Sequence, residues 1–115
     1  MIEIKDDRFS VERVMLTVEL SKTLTEFMER CSAKGSNVAE DVVSSISASC
    51  GSALGTVISI FIHGNKMSKE DSKELIAALG ARMANCFKNV AETDVSEVLD
   101  TLKEAYKFVD KKNLN

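Results

Sequence analysis

The chain has no proline in 115 residues, and only five glycines. Proline ends helices because it lacks a backbone N–H and its ring clashes with the preceding turn. Domains rich in β-structure need Gly and Pro at many turns. A chain this poor in both is free to run in long helices, so the expected class is mainly α. The length suits a single helical domain over residues 1–115. An apolar share of 44% is enough for a packed core, and a formal net charge of −3 does not suit a strongly basic nucleic-acid binder.

Breaks in the pattern give four segments, approximately residues 10–33, 38–63, 68–92 and 94–112. The gaps are short, which suits antiparallel neighbours. The expected architecture is therefore a compact bundle of four or five antiparallel helices, with a short N-terminal strand as an open alternative. In the third segment Ser68 and Asp71 have the spacing of a helix cap, and Leu75, Ile76, Leu79, Met83, Cys86, Phe87 and Val90 recur at three- and four-residue steps. In the fourth, Asp94 and Glu97 open the helix and Lys111 and Lys112 close it, matching the helix dipole at both ends.

The second segment is the unusual one. Asn37 is a candidate N-cap, and Gly64-Asn65 a candidate stop. Val43, Ile46, Cys50, Ala53, Val57 and Ile60 form a heptad-like seam. Ser47, Gly51, Gly55 and Ser59 form a second line of small residues four apart, a spacing that lets another backbone come close. Each glycine inside a helix costs about 1 kcal/mol relative to alanine. Close packing against the third segment, or against a second copy of the chain, would offset that. A leucine at Gly55 is then expected to overpack the crossing. Run as one helix, the segment would reach about 39 Å, against a radius of gyration of about 13 Å for a compact domain of this size. Either it breaks near Gly51 or the protein oligomerises.

Residues 13–20 admit two readings. Val14, Leu16, Val18 and Leu20 alternate with Arg13, Met15, Thr17 and Glu19, as in a strand; Thr23 and Glu26 would then cap a following helix. Val11, Val14, Met15 and Val18, followed by Leu20, Leu24, Phe27 and Cys31, fit one continuous helix nearly as well. Read as strand, helix, turn and helix, residues 13–50 resemble the ribbon-helix-helix family of bacterial and phage DNA-binding regulators. That resemblance implies that Arg13, Met15 and Thr17 face DNA, with Ser36 and Asn37 meeting phosphate at a helix N-terminus. Residues 37–50 hold no basic side chain, however, and cations carry most affinity for DNA.

Little in the sequence suggests catalysis. Cys31, Cys50 and Cys86 are far apart, and the single histidine, His63, falls at the end of the second segment, so neither a metal site nor a cysteine–histidine pair is expected. No phosphate-binding glycine loop occurs, and no cofactor is expected. No uninterrupted apolar run reaches the ~18–20 residues that span a bilayer, and the charged start, residues 1–7, lacks a signal peptide's apolar core. The expectation is a cytoplasmic protein without a membrane partner. Taken together, the residues suggest a non-catalytic helical interaction protein (adaptor, chaperone-like or inhibitory module). It would bind another protein and itself as a homo-oligomer, through Val43, Ile46, Ser47, Gly51, Gly55, Val57 and Ile60. A DNA-binding regulator with a helical C-terminal oligomerisation part stands second.

Overall fold

A computed structural model of the chain describes residues 9–33, 35 and 39–114, the last three by their backbone alone. It is a mainly-α fold of bundle type, built from four helices with no strand among the described residues. The helices are α1 (Ser10–Ala33), α2 (Ala39–Gly64), α3 (Lys69–Ala91) and α4 (Val95–Leu114).

Residues 13–20, which the sequence admits as strand or helix, are helical, and Thr23 lies inside α1 rather than at a cap. Burial supplies the reason. Val18 is 3% exposed, and Val14 and Met15 are half-buried, whereas Leu16 and Leu20 face solvent. The three- and four-residue spacing therefore finds a core that strict alternation does not.

Local chemistry sets the helix ends. Ser68 accepts a hydrogen bond on Oγ from the Asp71 backbone N–H at 3.1 Å, the N-cap that the sequence predicts for α3. Ahead of α4, the Asp94 carboxylate accepts the Ser96 hydroxyl at 3.0 Å. The C-terminus of α2 departs from expectation. The residue with positive φ is Lys66, at 50°, not Gly64 or Asn65. The Met67 N–H bonds to the Ile62 carbonyl at 3.2 Å and the Lys66 N–H to the His63 carbonyl at 3.2 Å. These two bonds define a Schellman cap with Lys66 in the position that glycine usually fills. The Asn65 side chain adds a third bond, donating from Nδ2 to the Phe61 carbonyl at 2.8 Å. Three bonds to the last turn hold the lysine in the left-handed conformation. The expected N-cap Asn37 and the expected first helical residue Val38 lie outside the described residues.

The chain divides into two compact units. One comprises Met1–Leu20 and Glu74–Asn115. Its interior is Val18, with half-buried Val14 and Met15 of α1, Leu75, Ala78, Leu79 and Arg82 of α3, and Val98, Leu102, Ala105, Tyr106, Phe108 and Val109 of α4. Of the α3 stripe only Leu75 and Leu79 are covered: Ile76, Met83, Cys86, Phe87 and Val90 are exposed.

The other unit is Ser21–Lys73. Its half-buried positions are Ser21, Leu24, Phe27 and Cys31 on α1, and Val42, Ile46, Cys50, Ile58 and Ile62 on α2, followed by Met67 and Ser72. The long second segment does not break near Gly51; α2 is continuous over 26 residues. No residue of α2 is fully buried, and the one buried apolar side chain among the described residues, Val18, belongs to α1.

Candidate functional site

Four rows of residues, each four apart, cover the surface of α2, and neighbouring rows lie about 100° apart around the axis. Val42, Ile46, Cys50, Leu54, Ile58 and Ile62 form a row that is half-buried except at Leu54, which is exposed. The next row is Val43, Ser47, Gly51, Gly55 and Ser59, and all five are exposed. Beyond it run Ser44, Ala48, Ser52, Thr56 and Ile60, then Ser45, Ser49, Ala53, Val57 and Phe61, also exposed throughout. Large apolar side chains here stand clear of their own chain: Phe61 is 53%, Val57 63% and Ile60 69% exposed.

The expected interface residues thus divide. Ile46 lies in the half-buried row. Val43, Ser47, Gly51, Gly55, Val57 and Ile60 lie on the exposed sides, with the small-residue row one step from the row that the chain itself covers. A Cβ placed on Gly51 or Gly55 would have nothing within 4 Å. Among the described residues, therefore, no close backbone crossing is made at these glycines. In the folded single chain a leucine at Gly55 meets open space rather than a neighbour. Helical spacing marks which residues share a face. It does not say which face finds a partner in its own chain.

The structure also identifies what a search for unbroken apolar runs overlooks. α2 is long and apolar enough to cross a membrane by length and composition. No Asp, Glu, Lys or Arg occurs between Asp41 and Lys66. Serine, threonine and glycine interrupt the apolar run without adding charge, and a helix tolerates their polarity cheaply. The Thr56 hydroxyl, for example, donates to the Ser52 carbonyl one turn back at 2.8 Å. Counting charges over residues 42–62, rather than consecutive apolar residues, would have found this property.

The remaining singled-out residues are dispersed. Cys31 and Cys50 are half-buried and Cys86 is exposed. His63 is exposed in the last turn of α2. Arg13 and Thr17 lie one turn apart on α1, where the Thr17 hydroxyl donates to the Arg13 carbonyl at 2.8 Å; Met15 is half-buried on another side of the helix. Ser36 and Asn37 lie outside the described residues.

Comparison with protein-family models, with curated proteins and with solved structures finds no match to this chain.

Proposed function

We propose that this chain is a non-catalytic interaction protein that works by self-association through α2, with the row Val43, Ser47, Gly51, Gly55 and Ser59 as the contact line. The supporting observation is the open space at Gly51 and Gly55 in the midst of an exposed, uncharged helix surface. Glycine in a helix interior costs about 1 kcal/mol relative to alanine. Among the described residues, nothing lies within 4 Å of a Cβ at either position to offset that cost. A second copy of α2, approaching along the small row, would place two backbones close together and bring Val43, Val57 and Ile60 out of water. Each fully buried apolar side chain of this size is worth about 1.5–3 kcal/mol.

Sedimentation equilibrium of the full chain tests this reading. The wild type should have a mass above that of the 12.6 kDa monomer. Gly55→Leu should lower it toward the monomer while the helical circular dichroism signal is kept, because the added side chain blocks the approach but meets nothing in its own chain. A monomeric wild type, or a Gly55→Leu variant that associates as the wild type does, overturns the proposal.

A further inference from the structure

We infer that α2 crosses a lipid bilayer. This goes beyond self-association, because it names the medium that covers the whole helix rather than the partner of one row. Three observations lead to it.

The first is length without charge. Residues 42–62 contain no Asp, Glu, Lys or Arg. At 1.5 Å per residue they rise about 30 Å, and the hydrocarbon core of a bilayer is about 30 Å thick. Glu40 and Asp41 stand at one end and Lys66 and Lys69 beyond the other, where headgroups and water begin.

The second is exposure on many sides. Water-soluble helices of this composition normally lie inside a core, yet no residue of this helix is fully buried. Three of its four rows are open. A single docked helix covers about one row. A surrounding apolar solvent covers all three.

The third is the kind of polar group it carries. A helix bonds its own backbone, as hydrocarbon requires, its side-chain polar groups over residues 42–62 are uncharged hydroxyls and a thiol, and the Thr56 hydroxyl bonds back to the Ser52 carbonyl. The small-residue row is also the kind of surface on which helices associate within lipid. Lys22, Glu26, Glu29 and Arg30 of α1 are costly to carry into hydrocarbon. In the inserted state lipid therefore replaces α1 along the half-buried row of α2.

The native cysteines report on this directly. Cys50 lies within the uncharged stretch, Cys31 is half-buried on α1, and Cys86 is exposed on α3. The purified full chain is mixed with vesicles of equal parts phosphatidylcholine and phosphatidylglycerol, then treated with a charged maleimide that does not cross membranes. The chain should float with the vesicles and resist alkaline extraction. Labelling of Cys50 should be lost, that of Cys31 should quicken, and that of Cys86 should persist. Ala53→Asp puts a carboxylate in mid-bilayer at a position exposed in the chain itself, and should abolish retention while leaving helicity in buffer unchanged. Gly55→Leu should still insert, which separates this inference from self-association. A chain that stays in the aqueous fraction, is stripped by alkali, or labels equally at Cys50 with and without vesicles overturns the inference, whatever its mass. A vesicle-retained monomer supports it and overturns self-association instead.

Discussion

α2, of 26 residues, and α4, of 20, are long helices with opposite surfaces. α4 turns Val98, Leu102, Ala105, Tyr106 and Val109 inward and carries Glu97, Asp100, Lys103, Glu104, Lys107, Asp110 and Lys111 on its exposed positions. Its Glu104 and Lys107 pair at 3.8 Å with both side chains mostly in solvent, a contact worth tenths of a kcal/mol. α4 therefore has one side for protein and one for water. α2 has a half-buried row and three exposed rows, with no charged side chain over residues 42–62. The difference separates a helix with a charged outer face from one whose outer faces carry no charge.

Paired substitutions can break or sharpen this contrast. The largest effect is expected at the core of the charged-faced unit. Val18→Ala should destabilise the chain by about 1.5–3 kcal/mol, the value of the burial it removes. Val57→Ala on α2, which truncates the same side chain at an exposed position, should leave a dilute monomer nearly unchanged. Urea unfolding of both variants checks the pair, and equal losses would abolish the distinction. Next in size, Ser68→Ala removes the acceptor for the Asp71 N–H and should cost about 1 kcal/mol, read as a lower urea midpoint. Gly55→Leu should raise monomer stability by about 0.5–1 kcal/mol through helix propensity, while weakening association. Overpacking within the chain would reverse the first of these signs. Smallest, Lys66→Gly should stabilise by about 0.5–1 kcal/mol, because glycine holds a left-handed conformation without the steric cost that lysine meets.

The parts of the molecule that were legible in the sequence depend on local physics. The absence of proline and the spacing of apolar residues lead to long helices, and the Ser68–Asp71 spacing leads to a cap whose hydrogen bond is present. The two readings of residues 13–20 could not be separated locally, because Val14, Val18 and Leu20 belong to both patterns; the half-burial of Met15 and the exposure of Leu16 separate them. The cap at Lys66 was hidden because the usual signal is a glycine, and Gly64 stands two residues too early. The candidate site was half visible. The small-residue row of α2 can be read from spacing alone. Its openness cannot, since periodicity is the same for a face that is covered and one that is bare. The same limit explains α3, where Leu75 and Leu79 find partners but Phe87 and Val90 of the same stripe do not.

Cysteine cross-linking between copies tests most directly whether the small-residue row of α2 is a contact line. With Cys31, Cys50 and Cys86 replaced by serine, one variant carries Ser47→Cys and Ser59→Cys on that row, which covers both parallel and antiparallel pairing. A control carries Ser44→Cys and Thr56→Cys on the neighbouring row, equally exposed. Under mild oxidation the account predicts covalent dimers from the first variant and few from the second. Equal cross-linking from both, or none from either, would contradict it.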